Sequence, residues 1–282
     1  MDGLVTMGKR CFHKGQEEFE LNSHVMQSFS LAGKTVLLTG GAGLYGTQIA
    51  IACAGAGGNV YVTSRDESRL EAIEEKFRQD GYTVHALQFD QENLSSIAAI
   101  RDKLEEREGK CDVLINNAVA RTMSHYNDSL ENFARSMAVN ATGLFEITRV
   151  IGDWMSEKGS GSIINIGSIQ GMVGPDPTLY EGLPLNGLVP DYFFHKGGMV
   201  NFTRFIASYY GARQVRCNCI SPGGFQTEKN LPEFVHRYND RTMLGRMAKS
   251  DDIWGPIVFL ASDASQYVTG TNLPVDGGYT AK

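Results

Sequence analysis

Cysteine is scarce and unsuited to bridging: the 282 residues hold five, an odd number, with no Cys-x-x-Cys pair. That excludes the disulfide framework of a small secreted domain. Cys217 and Cys219 alternate along an apolar run and read as core packing. Long apolar runs are missing as well: none has the length of a membrane span, and the first residues lack the apolar core of a signal peptide. Basic clusters are absent. Lys and Arg total 26 against 32 Asp and Glu, a net charge of −6, so there is no electrostatic footprint for nucleic acid. Proline is rare, eight in all, and four of them (Pro175, Pro177, Pro184, Pro190) crowd into one stretch. A soluble cytoplasmic protein is expected, with no membrane, nucleic-acid or metal partner.

Glycine is the opposite case, with 32 residues. The stretch that organises the chain is Val36-Leu-Leu-Thr-Gly-Gly-Ala-Gly-Leu-Tyr-Gly46. An apolar run stops at Thr39, glycines follow, and a helical apolar spacing starts with Ile49, Ala50, Ala52 and Cys53. Gly41, Gly43 and Gly46 stand in G-x-G-x-x-G order, the turn that brings backbone N–H groups and a helix N-terminus close to a pyrophosphate. Alone the motif is weak; its context decides. Further strands are expected at 59–63, 83–89, 113–115, 162–166, 215–220 and 272–275. Helices are expected at 67–79, 94–108, 130–155, 196–209 and 253–260. Strict alternation means an α/β protein, a doubly wound parallel sheet with helices on both faces in three α/β/α layers. No linker divides the chain, so residues 31–282 read as one dinucleotide-binding domain. Residues 1–30 fit poorly and read as an N-terminal extension or a frayed tail, with one helical turn at 16–20.

Along the predicted strand ends and the helices beside them lie Asp90, Asn116-Asn-Ala118, Asn140, Ile166-Gly-Ser168, Tyr192-x-x-x-Lys196, Ser221-Pro-Gly-Gly-Phe-Gln-Thr227 and Val275-Asp-Gly-Gly278. Tyr192 and Lys196, four apart on a helix, project from one face. A free tyrosine holds its proton up to about pH 10, and a neighbouring ammonium favours the phenolate. An ordinary i,i+4 surface pair is the plainer alternative, but Tyr192 alone among the eleven tyrosines has a lysine four residues on. Ser168 ends an apolar strand, where a hydroxyl either orients a substrate oxygen or caps a turn.

Taken together, this set over about residues 31–280 closely resembles the short-chain dehydrogenase/reductase family, and so implies a Rossmann fold. The resemblance implies reversible hydride transfer between NAD(P) and a secondary alcohol or ketone. It implies Tyr192 as general acid/base, Ser168 as its partner on the substrate oxygen, and Lys196 as the residue that tunes Tyr192 and holds the nicotinamide ribose. Asn140 would keep a relay water, or else satisfy buried backbone groups. Gly40, Gly41, Gly43, Leu44, Tyr45 and Gly46 would cradle the cofactor phosphates. Asp90, Asn116 and Ala118 would border the adenosine and riboses, and Pro222, Gly223 and Thr227 the nicotinamide end. A dimer or tetramer is implied, a homotetramer foremost.

Departures from the family pattern carry information. Ser168 and Tyr192 lie farther apart than is usual, so residues 174–190 read as an insertion, an ordered loop shaping the substrate mouth. Tyr180 is a decoy, because Pro184 stands where lysine is required. Leu44 replaces a glycine and Val119 another, while Phe193, Phe194 and His195 are bulky and imply altered subunit contacts. At the end of the second strand, Ser64 takes the place of an NAD-selecting acid and Arg65 is placed for a 2′-phosphate, which favours NADP(H) over NAD(H). Arg65 stacked on adenine, with Asp66 capping the next helix, is the alternative. Residues 226–246 resemble the family's substrate lid. The likeness is greatest to sugar-acid and polyol dehydrogenases in the style of gluconate 5-dehydrogenase. Hydroxysteroid dehydrogenases compete, because Ile169, Met172, Tyr180, Leu183, Leu185 and Phe225 would line a rather apolar pocket. A non-catalytic cofactor sensor would not need the Tyr192–Lys196 pair. A sugar-nucleotide epimerase or dehydratase would need more C-terminal chain.

Overall fold

Seven short strands make one parallel sheet: β1 (Thr35–Leu38), β2 (Asn59–Ser64), β3 (Val84–Gln88), β4 (Val113–Asn116), β5 (Gly161–Ile166), β6 (Val215–Pro222) and β7 (Asn272–Val275). Their order in the computed structural model, which describes residues 23–282, is β3-β2-β1-β4-β5-β6-β7. The helices are α1 (Ser23–Ser28), α2 (Leu44–Gly55), α3 (Leu70–Gln79), α4 (Leu94–Glu108), α5 (Leu130–Met137), α6 (Leu144–Lys158), α7 (Pro190–Tyr210), α8 (Pro232–Asn239) and α9 (Trp254–Ala261). No helix among the described residues is long and apolar enough to cross a membrane.

The strands read as unbroken apolar runs because both faces are covered. In β1, Val36 and Leu38 face one way, into a core with Ile49 and Cys53 of α2, Phe77 of α3 and Ile257 of α9. Leu37 faces the other way, into a second core with Ile97 of α4, Ile147 and Trp154 of α6 and Ile206 of α7. These three side chains are fully buried, and truncating either leucine to alanine would cost about 2–5 kcal/mol. This is the three-layer, doubly wound architecture expected. β1 pairs β2 on one side and β4 on the other, so the chain reverses direction beside β1. A crevice opens there, outside the carboxyl ends of β1 and β4.

Two expectations need correction. The single helix expected over 130–155 is α5 and α6 joined by a π-helical turn at Ala138–Gly143. Gly143 allows it, since a Cβ there would strike the backbone of Gln91. The helix expected from Lys196 instead begins at Pro190, where proline sits in the first turn and loses no bond. The N-terminal extension reaches the described residues only as α1 and its exit. Phe29 meets Phe259 at 6.4 Å, and Leu31 is fully buried, joining the core where the domain was expected to start. The helical turn expected at 16–20 lies outside the described residues.

Candidate active site

The ends of β1 and β4 are tied together first. Thr39 Oγ1 accepts from the backbone N–H groups of Asn117 and Ala118, both at 3.0 Å. Asn117 Nδ2 donates back to the carbonyls of Thr39 (3.1 Å) and Gly40 (2.8 Å). Gly40 sits at φ +70, and a Cβ there would press on Ala118 Cα at 2.8 Å, so only glycine lets the two ends close up. α2 then starts at Leu44 with Gly43 as its cap and no side-chain capping bond. Its first N–H groups are therefore available to an anion.

These ends line a cleft of about 890 Å³. It begins at Ser64, Arg65 and Asp90, passes Gly40, Gly43, Leu44, Tyr45, Gly46 and Ala118, and reaches Ser168, Tyr192, Lys196, Pro222 and Gly223. A long cleft with glycine walls and an uncapped helix start fits a dinucleotide. Three expected cofactor residues lie off it. Gly41 faces the sheet, where a Cβ would collide with Val62. Asn116 is the last residue of β4, and its side chain falls on the α6 face. There its Nδ2 donates to Thr148 Oγ1 (3.0 Å) and Asn165 Oδ1 (2.9 Å), while Asn117 lines the cleft. Thr227 is bonded through N and Oγ1 to Asn230 Oδ1 (2.6 and 3.0 Å), and Asn230 lines the cleft in its place.

At the other end, α7 brings Tyr192 and Lys196 to one face. Lys196 Nζ lies 5.7 Å from the centre of the Tyr192 ring and donates to the Ile166 carbonyl at 2.5 Å. Burial pushes the ammonium of Lys196 down from its ordinary range, with Tyr192 opposing. Ser168, two residues beyond Ile166, accepts at Oγ from Gln170 N (3.2 Å). Its proton remains available to a molecule in the cleft. Gly171 seats this turn against α7, since a Cβ there would lie 2.7 Å from the Lys196 carbonyl carbon. Tyr192, Lys196 and Ser168 thus line one cleft. Asn140 does not join them on the cleft wall. The π-helical turn aims its side chain at the loop after β4, where Nδ2 donates to Ala120 O (2.8 Å) and Oδ1 accepts from Ala120 N (2.9 Å), and Nδ2 donates also to Ser136 Oγ of α5 (3.0 Å).

One residue absent from the expected set stands out. Arg121 lines the cleft with its guanidinium 4.9 Å from the centre of the Tyr192 ring. It is exposed, with no carboxylate or carbonyl partner among the described residues. The only sequence signal for it was a lone cation just beyond Asn117-Ala118. His195 packs edge-on to Tyr192 at 5.2 Å. It is buried with neither ring nitrogen partnered, and burial, then Lys196 and Arg121, push its pKa down to about 3.

The insertion is anchored on two sides. Arg241 Nε meets Asp176 Oδ2 at 2.7 Å, and Arg237 of α8 donates to the carbonyls of Thr178 and Glu181. On the other side Asn186 Nδ2 donates to Ser124 O at 2.5 Å. Tyr180 and Leu185 line the cleft with Ile169 and Phe225; Met172 and Leu183 do not. Tyr180 packs on Phe234 of α8 at 5.7 Å.

A family model described as enoyl-(acyl carrier protein) reductase matches residues 43–280. The chain belongs to the short-chain dehydrogenase/reductase family. As a member it is an NAD(P)-dependent oxidoreductase acting on CH–OH groups. It is 34% identical over 267 residues to 2-dehydro-3-deoxy-D-gluconate 5-dehydrogenase of Bacillus subtilis, covering 92% of this chain and 99% of that protein. It is 31% identical to D-threitol dehydrogenase of Mycolicibacterium smegmatis, covering 90% and 95%. Among solved structures, a gluconate 5-dehydrogenase from Burkholderia cenocepacia in complex with NADP and tartrate superposes with a TM-score of 0.81 at 29% identity, over 92% of this dehydrogenase and all of that chain.

Proposed function

We propose that this short-chain dehydrogenase interconverts a secondary alcohol and a ketone on a small sugar acid, with NADP(H) as the preferred cofactor. The observation that carries the substrate assignment is the unpaired guanidinium of Arg121 in the cleft, beside the Tyr192 ring. A guanidinium without a protein carboxylate is a ready fork for a substrate carboxylate. The named relatives act on sugar acids and polyols, which supports the same class here.

In this reading the nicotinamide supplies the hydride acceptor or donor. Tyr192 exchanges a proton with the substrate oxygen, and Ser168 donates a hydrogen bond to that same oxygen. Lys196, held by the Ile166 carbonyl, keeps a positive charge beside the phenol. Asn140 works through the loop it grips rather than through a side chain in the cleft. The insertion and α8, bonded to each other, form the lid that keeps water out. NADP(H) is favoured because Arg65 is exposed at the cleft, while Asp66 caps the next turn with its carboxylate on Ser68 N (3.0 Å) and Oγ (2.6 Å). A 2′-phosphate would therefore meet a cation and no free acid. Phe145, Phe194, Phe205 and Tyr209, all exposed on α6 and α7, form an apolar face suited to a dimer or homotetramer. Four free buried cysteines fit a reducing cytoplasm.

The test is a panel of aldonates, polyols and steroid ketones with NADP(H) or NAD(H), followed by reduced-nicotinamide absorbance, on the wild type and Arg121→Ala. Loss of a charge-assisted contact should lower kcat/KM on the acids by about 10- to 100-fold and leave polyols within about 3-fold. Turnover confined to polyols or steroids, or equal losses on acids and polyols, would overturn the assignment.

A further inference from the structure

Asp191, the residue before Tyr192, is 1% exposed and borders the cleft beside Tyr192 and Lys196. Its Oδ2 accepts from Ser136 Oγ at 2.5 Å, and its Oδ1 has no hydrogen-bond partner. A buried carboxylate with one donor is an expensive way to fill space. A carboxyl group at this position therefore invites an explanation.

The explanation lies in what a carboxylate can and cannot do. The Ser136 hydroxyl points its proton at Asp191 Oδ2, which accepts it. Ser136 Oγ is then left to accept, and it does, from Asn140 Nδ2 at 3.0 Å. That fixes which way round the Asn140 amide sits. Its Oδ1 must face Ala120 N (2.9 Å) and its Nδ2 Ala120 O (2.8 Å), a two-point grip on the two peptide units that flank the Ala120 Cα. The next residue is Arg121, whose guanidinium lies over the ring of Tyr192, the neighbour of Asp191. The contacts close on themselves, running from Tyr192 through Asp191, Ser136, Asn140, Ala120 and Arg121 back to Tyr192.

We propose that Asp191 is a positioning residue which, through Ser136 and Asn140, sets the loop carrying Arg121 so that the guanidinium faces the substrate site over Tyr192. The importance of Arg121 for acid substrates rests on the functional reading above; the geometric claim does not. Removing the hydroxyl in Ser136→Ala should free the Asn140 amide to turn and release Ala120. Asp191→Asn, which keeps the volume but can also donate, should give a weaker effect in the same direction.

The test has two readouts. Crystal structures of the wild type and both variants report the separation of Arg121 from the Tyr192 ring: about 5 Å in the wild type and beyond the ~6 Å cation–π range in Ser136→Ala. Kinetics on the best aldonate of the panel complete a double-mutant cycle with Arg121→Ala. Ser136→Ala should lower kcat/KM about 10-fold in the wild type and less than about 2-fold once Arg121 is gone, with kcat/KM on polyols little changed. Arg121 still seated over Tyr192 in both variants, or losses that multiply independently, would overturn the proposal. If Ser136→Ala fails to fold, Asp191→Asn decides by the same two measurements. An Arg121→Ala enzyme undiminished on aldonates would instead refute the substrate assignment, leaving the crystallographic arm to judge the positioning.

Discussion

Replacing His195 with methionine should make the protein less sensitive to acid. The imidazole is 5% exposed and has no hydrogen-bond partner on either nitrogen. Burial chiefly, then the nearby Lys196 and Arg121, hold its pKa near 3, against about 6.5 in an unfolded chain. The folded value is the lower one, so the native ring stays neutral while the unfolded chain takes up a proton as pH falls below about 6.5. Its contribution is therefore complete above that pH and is lost progressively toward about pH 3. At about pH 5 the accumulated loss is on the order of 2 kcal/mol. Urea unfolding at about pH 7.5 and about pH 5 would show it: wild-type stability should fall by ~2 kcal/mol more than that of His195→Met. Other titrating groups are common to both proteins and cancel. At neutral pH the variant should be no less stable, since it removes two buried nitrogens that lack partners. Equal acid losses in the two proteins would refute the reasoning and place the imidazole in contact with water.

Tyr192→Phe should bind cofactor normally while turnover falls at least ~10²-fold, as measured by nicotinamide absorbance and cofactor fluorescence titration; wild-type turnover would reject proton transfer by the phenol. Arg65→Ala should weaken NADP(H) by about 10-fold and NAD(H) by less than about 2-fold in the same titration; equal losses would show that Arg65 does not read the phosphate. Arg241→Ala removes the ion pair to Asp176 and the 2.7 Å bond to Thr178 Oγ1. Freed from that residue, the insertion should raise substrate KM about 3- to 10-fold with little change in melting temperature; an unchanged KM would mean the anchoring has no part in binding.

The alternation of strands and helices was legible because strands covered on both faces are apolar throughout, as Val36, Leu37 and Leu38 are, whereas the helices keep a polar side. The Tyr192–Lys196 pair was legible because four residues on a helix is one face. Asn116 and Asn117 were harder: side chains alternate along a strand, so a shift of one residue in where β4 ends exchanges cleft for core. The π-helical turn at Ala138–Gly143, which places Asn140 beside Ala120, has no compositional mark. Arg121 belongs to no motif, and Ser136 and Asp191 lie too far apart in sequence for spacing to pair them. The insertion betrayed itself through its prolines, and Tyr180, set aside from the acid/base pair by Pro184 but expected in the pocket lining, is a wall of the cleft.

The end of β5 fastens two groups of the proposed reaction at once. The carbonyl of Ile166 moors the Lys196 ammonium, and Ser168 stands two residues farther along the same backbone. Donor and anchor therefore travel as one casting. A core substitution that slides β5 by a fraction of its length would slow every alcohol this enzyme accepts by the same ratio. The order of preference among those alcohols would survive, because the proposal assigns it to Arg121 and the insertion, which other segments carry.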